Sequence, residues 1–228
     1  MLTAIIVAAG SSRRVGFNKL FAIIDGEPVI SHTINAFERA SSITEIIVVA
    51  CEDRHDEIRK IASTESFKKV RSIIAGGEHR QDSVRAGLDR LNDGAKYVAV
   101  HDAARPLITA EQIERVFEQC KIHGAAALAE PINDTIKRAD ADLLVTGSVD
   151  RHQLYAMQTP QIFERALIEE AYRAAYADNV SVTDEVSAVE RLGRKVVLVL
   201  NDGFNFKITY PRDLSLAELV LKRTRSNF

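Results

Sequence analysis

Leu2-Thr3-Ala4-Ile5-Ile6-Val7-Ala8-Ala9-Gly10-Ser11-Ser12-Arg13-Arg14 begins as an apolar run and stops in small residues and two arginines. The run shows no alternation of apolar and polar positions, as expected of a strand covered on both faces in a parallel sheet packed between helices. Runs of the same kind return at residues 45–50, 70–75, 97–101, 125–129 and 195–200. Between them, apolar residues recur at helical spacing. Val29, Ile30, Thr33, Ile34 and Phe37 form one face, Val84, Leu88 and Leu91 a second, and Ile113, Val116, Phe117 and Cys120 a third. Thr109, with Gln112 three residues on, has the pattern of a capping box. This alternation predicts an α/β fold: a Rossmann-like, mostly parallel sheet covered by helices on both faces.

Residues 131–160 break the rhythm. They are polar, with short alternating pieces at 135–138 and 143–149 and a turn signal at Asp140-Ala141-Asp142. The expectation is a β-hairpin arm projecting from a single domain that spans 1–228, since no repeat, low-complexity tract or Pro/Gly-rich linker divides the chain. The 228 residues are 46% hydrophobic, enough for a full core, and the formal net charge of −2 supplies no basic field for nucleic acid. Cys51 and Cys120 make no disulfide framework, and no Cys/His cluster has zinc spacing. The apolar start lacks a basic leader, and no stretch approaches the roughly 18 apolar residues of a membrane span. A cytoplasmic protein without membrane or nucleic-acid partners is expected.

Three strand ends carry the chemistry. Ligands of open α/β sheets bind beyond the carboxyl ends of the strands. After the first strand, Ala8, Ala9, Gly10 and Ser12 are small enough for backbone N–H groups to approach phosphate oxygens, and Arg14 and Lys19 can neutralise them. The loop is neither a P-loop, since Lys19 is followed by Leu20, nor a G-x-G-x-x-G dinucleotide fingerprint. Gly76-Gly77-Glu78-His79-Arg80-Gln81-Asp82-Ser83 follows another strand and opens a helix, where paired glycines permit positive φ or close backbone approach. His101-Asp102-Ala103-Ala104-Arg105-Pro106 ends a third strand with an acid that can accept from hydroxyls and an arginine that can donate to oxygens.

These motifs, in this order, resemble the 2-C-methyl-D-erythritol 4-phosphate cytidylyltransferase family. The first loop is similar to the signature of nucleotidyltransferases that activate sugar phosphates, with Ser12 in place of a second glycine and a shortened stretch between Arg14 and Lys19. Gly-Gly-x-x-Arg-x-x-Ser-Val, His-Asp-Ala-Ala-Arg-Pro, Asp134-Thr135-Ile136-Lys137, Asp150-Arg151, Gln158-Thr159-Pro160-Gln161, Thr183-Asp184-Glu185 and Asn205-Phe206-Lys207-Ile208-Thr209 extend the resemblance over nearly the whole chain. It implies CMP transfer from CTP to a small sugar-alcohol phosphate. Arg14 and Lys19 would stabilise charge at the α-phosphate, and Arg151 and Lys207 would orient the acceptor phosphate. Ala8, Ala9, Gly10, Ser12, Gly77, Glu78, Ser83, Asp102 and Ala103 would hold the nucleotide. Arg105, Thr135, Thr159 and Thr183, with Asp102, would meet the acceptor. The arm would cross to a second subunit, making a homodimer in which Thr135 and Arg151 act in trans.

A phosphate monoester has its second pKa near about 6, so the acceptor is largely dianionic at neutral pH and needs no general base. Bringing two anions together is the difficulty, and cations with Mg²⁺ meet it. The Mg²⁺ would lie mainly on the triphosphate, with Asp102 the protein carboxylate nearest to it. Ribitol 5-phosphate is the rival acceptor, although Ala103-Ala104 favour methylerythritol. A nucleotidyltransferase making CMP- or GDP-sugars leaves the arm and 205–209 unexplained. A non-catalytic, nucleotide-binding regulatory subunit is the alternative of another class.

Overall fold

The computed structural model describes residues 1–10 and 18–226. Strand β1 (Leu2–Val7) leads, through the small hairpin β2 (Ile23–Ile24) and β3 (Glu27–Pro28), into α1 (Val29–Arg39). The chain continues through β4 (Ile43–Ala50), α2 (His55–Thr64), β5 (Val70–Ala75), α3 (Arg80–Asp89), β6 (Tyr97–Asp102) and α4 (Ala110–His123). Strand β7 (Ala125–Pro131) follows, then the arm strands β8 (Ile136–Ala139) and β9 (Val145–Val149), and β10 (Tyr155–Glu164). Helices α5 (Arg165–Ala177) and α6 (Glu185–Arg191), β11 (Val197–Leu200) and α7 (Pro211–Ser226) complete it.

Seven strands form one sheet in the order β11-β7-β10-β6-β1-β4-β5, every neighbouring pair parallel except those that β10 makes. Along β1, Leu2, Ala4 and Ile6 join a core with Ile34 and Phe37 of α1, whereas Ile5 joins a second core with Val84 and Leu88 of α3. Both faces are therefore dry, and a polar residue on either would lose about 1.5–3 kcal/mol of burial. This is why the strand sequences lack alternation. The capping box of α4 forms as its sequence indicates: Gln112 N–H donates to Thr109 Oγ1 at 3.2 Å and Thr109 N–H to Gln112 Oε1 at 2.9 Å.

Strand β10 departs from the expected layout. Residues 155–160, assigned to the arm from their polarity, instead begin a strand of the main sheet: 155–157 pair with β7, and its continuation at 161–164 runs between β7 and β6. The chain leaves along β7, traverses the arm and returns beside itself, so β10 is antiparallel to both neighbours. Its pairing with β7 jumps from Met157↔Ala129 to Gln161↔Ala127, so Gln158, Thr159 and Pro160 bulge opposite one residue. Proline lacks a ladder donor and the bulge accommodates it, but together with two glutamines it conceals the strand in the sequence. The arm proper covers 132–154. Its reversal is held by the Asp140 carboxylate, which accepts the N–H groups of Asp142 and Leu144. Among the described residues, no helix is long and apolar enough to cross a membrane.

Candidate active site

The carboxyl ends of β1, β4, β5 and β6 lie side by side, and the loops beyond them are bonded together. Ala8 N–H donates to Val49 at 2.7 Å, Gly76 N–H to Ala50 at 3.0 Å and Ala103 N–H to Val7 at 3.0 Å, each to a backbone carbonyl. Gly76 and Gly77 are needed here for close approach, not for positive φ. A Cβ on Gly76 would stand 2.3 Å from that of Ala9, and one on Gly77 2.2 Å from that of Asp82. The β5 loop is thereby pressed against Ala8-Ala9-Gly10.

Asp102, at the end of β6, is the hub. One carboxylate oxygen accepts from Arg80 Nε at 3.0 Å and the other from Lys207 Nζ at 2.7 Å. Burial alone would raise its pKa, but the Arg80 and Lys207 charges outweigh that and hold it well below the usual carboxylate range. Arg80 also makes a two-pronged bond to Glu185, Nη1 to Oε1 at 2.7 Å and Nη2 to Oε2 at 3.0 Å. Glu185 is fully buried and accepts a third bond from Tyr172 O–H at 2.9 Å. Lys19 Nζ donates at 2.8 Å to the carbonyl of Ile208, the residue after Lys207. Ile208 N–H in turn bonds to Ala104 at 2.8 Å, laying the 205–208 segment along the β6 loop. Arg105 and Lys207 thus flank Asp102, and Lys19 is tied to the segment that carries Lys207, an excess of positive charge suited to polyphosphate.

A second chain of bonds fixes the loop from beneath. Thr159 Oγ1, inside the β10 bulge, accepts the Asp102 N–H at 3.1 Å, so its own proton is free for His101 Nδ1, also at 3.1 Å. That assigns the proton of His101 to Nε2, which donates to the Arg105 carbonyl at 3.2 Å. Burial pushes the His101 pKa down to about 3, against the pull of Asp102, so the ring is neutral. Arg105 Nη1 donates to the Asn205 carbonyl at 2.7 Å, and Asn205 Nδ2 bonds to Gln158 Oε1 and to the Thr159 carbonyl, both at 2.9 Å.

The expected site residues separate into groups. Asp102, Ala103, Arg105, Lys207 and Lys19 meet at the strand ends. Gly77 spends its N–H on Ser83 Oγ, leaving its carbonyl as the group available to a base, while Ser83 is buried and Glu78 exposed. Thr159 is buried with its hydroxyl committed, so it supports Asp102 from within. Thr183 is exposed beside the start of α6, bonded to Ser187 Oγ. Thr135 and Arg151 stand exposed on the arm, Arg151 donating to the Asn133 carbonyl. Ser12 and Arg14 lie outside the described residues. Arg80, Glu185 and Tyr172 are site residues to which the sequence analysis assigns no role. The Gly-Gly-x-x-Arg spacing and the acid after the Asp184 cap were the available signals.

No three His, Cys, Asp or Glu side chains gather among the described residues as around a protein-held metal. One carboxylate amid cations fits an ion carried chiefly by a ligand's own phosphates. A relative from Caldanaerobacter subterraneus, named 2-C-methyl-D-erythritol 4-phosphate cytidylyltransferase, is 41% identical over 97% of this chain and 99% of its own. One of the same name from Halalkalibacterium halodurans is 39% identical over 96% of each. The crystal structure of 4-diphosphocytidyl-2C-methyl-D-erythritol synthase from Anaerococcus prevotii superposes with a TM-score of 0.85 at 31% identity, covering 97% of this chain and 96% of that one. With the 2-C-methyl-D-erythritol 4-phosphate cytidylyltransferase profile also matching residues 2–223, the chain belongs to that family.

Proposed function

We propose that this chain transfers CMP from CTP to 2-C-methyl-D-erythritol 4-phosphate, giving 4-diphosphocytidyl-2-C-methyl-D-erythritol and pyrophosphate in the non-mevalonate route to isoprenoid precursors. The observation that carries the reading is Lys207 paired to Asp102 beside Lys19 and Arg105, at the strand ends of a family member. An acceptor phosphate oxygen forms a bond to the α-phosphorus. The bond from that phosphorus to the bridging oxygen breaks, and pyrophosphate leaves with the electron pair.

Lys207 would leave Asp102 for the acceptor phosphate, freeing a carboxylate oxygen to accept a hydrogen bond from an acceptor hydroxyl. Lys19 and Arg14 would face the α-phosphate, where positioned cations act most strongly. Mg²⁺ bound to the triphosphate would neutralise charge there, with Asp102 the candidate protein contact. The family match over 2–223 favours methylerythritol over ribitol 5-phosphate as acceptor, and an enzyme over a silent regulatory subunit.

We further infer a homodimer. Leu143, Leu144 and Val145, at the arm's tip, are 84%, 65% and 66% exposed, more apolar surface than an isolated hairpin should carry. Crossing to a neighbour would bring Thr135 and Arg151 to its acceptor site. Two free cysteines, Cys51 and Cys120, are in keeping with a reducing cytoplasm. Arg14→Ala and Lys207→Ala should each lower CTP-dependent pyrophosphate release by about 10²-fold or more. Near-normal turnover in both variants would remove these roles.

A further inference from the structure

We propose that Glu185 and Tyr172 are positioning residues for cytidylyl transfer, acting through Arg80 on Asp102 and Lys207. The inference rests on the function proposed above. Five side chains from separate parts of the chain form one line: Tyr172 of α5, Glu185 of α6, Arg80 of α3, Asp102 of β6 and Lys207 of the segment after β11. Side-chain exposure is 41% at Lys207, 11% at Asp102, 26% at Arg80 and zero at Glu185. The outer end is open to a substrate and the inner end is closed to it. Glu185 can therefore influence the reaction only through its neighbours.

The bonding shows how. Both oxygens of Glu185 engage the two terminal nitrogens of Arg80, which sets the plane of the guanidinium. The Tyr172 hydroxyl fixes the rotation of the Glu185 carboxylate. With the plane set, Nε is left directed at one oxygen of Asp102, 3.0 Å away. Asp102 is thus held from one side while its other oxygen serves Lys207. Without the anchor, Arg80 could follow Asp102, and Asp102 could follow Lys207 toward a phosphate. A lysine at position 80 would keep the charge and lose the geometry, because an ammonium cannot bond two carboxylates in a fixed plane.

The test uses full-length wild-type protein, Glu185→Gln, Arg80→Lys and Tyr172→Phe, each also combined with Asp102→Asn. Far-ultraviolet circular dichroism and thermal melts establish that each is folded at the assay temperature. Pyrophosphate release is then followed against CTP and acceptor concentration. Glu185→Gln and Arg80→Lys should lower kcat/KM about 10- to 100-fold and Tyr172→Phe about 3- to 10-fold. In the Asp102→Asn background each should change kcat/KM less than about 3-fold, because the relay already lacks its output. Losses that multiply in that background mark a purely structural role and overturn the proposal, as does Arg80→Lys with activity within 3-fold of wild type. If Glu185→Gln does not fold, Arg80→Lys and Tyr172→Phe decide by the same criteria. Wild-type protein inactive toward the acceptor would refute the function itself, whereas active wild type with unaffected variants would refute only the relay.

Discussion

Lys207, the cation expected to meet the acceptor phosphate, already has a partner in the free protein: its ammonium lies 2.7 Å from Asp102. The pair is half open to solvent on the lysine side, so a dianionic phosphate can compete for it, and Asp102 keeps Arg80 when Lys207 leaves. Thr159 controls the same carboxylate from its backbone. Thr159→Val keeps the shape but leaves the Asp102 N–H and His101 Nδ1 unpaired, and should cost about 1–3 kcal/mol for each buried group stranded, measured by urea unfolding. Thr159→Ser should recover most of that loss; a valine variant as stable as wild type would remove the bond from the account. At this scale the sequence was half legible. Asp102, Arg105 and Lys207 sit in short motifs at strand ends, whereas Arg80 and Glu185 are partners 105 positions apart, a pairing that only the fold creates.

The arm and β10 raise the question of elements. Parallel strands could be read from uninterrupted apolar runs, because both of their faces are buried. Strand β10 could not be. Its buried polar residues Gln158, Thr159 and Gln161 bond to Asn205, Asp102 and Asp184, and so take a surface-like composition into the centre of the sheet. The hairpin 132–154 was visible from its polarity and turn residues, and its outer end exposes leucines instead of burying them. Leu143→Asp with Leu144→Asp should therefore shift the protein from dimer to monomer in sedimentation velocity and lower kcat/KM about 10-fold or more, with the fold intact. A variant that stays dimeric, or a wild type that is monomeric, would contradict arm-mediated assembly.

At the scale of the molecule, the two buried titrating groups at the β6 end make stability depend on acid. His101 is held neutral down to about pH 3, whereas an unfolded histidine takes up a proton below about 6.5. The unfolded state then binds more protons, so stability is full above about pH 6.5 and falls as the pH drops from there toward 3. Asp102 has the same sign for a different reason: its native pKa is depressed, and its contribution, present above about 3.9, is lost below it. Urea unfolding from pH 7 to pH 4.5 should lose stability with a slope approaching about 1.4 kcal/mol per pH unit from the histidine. His101→Gln should be less stable at pH 7 and have a shallower slope, and an unchanged slope would place the proton uptake elsewhere.

The same site is where the chemistry must be demonstrated. The most direct measurement is mass spectrometry of the products from wild-type protein, Mg²⁺ and CTP with 2-C-methyl-D-erythritol 4-phosphate or, side by side, ribitol 5-phosphate. The account predicts 4-diphosphocytidyl-2-C-methyl-D-erythritol with one pyrophosphate released per product, formed faster than any ribitol conjugate. Faster turnover of ribitol 5-phosphate, or CTP binding without pyrophosphate release from either acceptor, would contradict it.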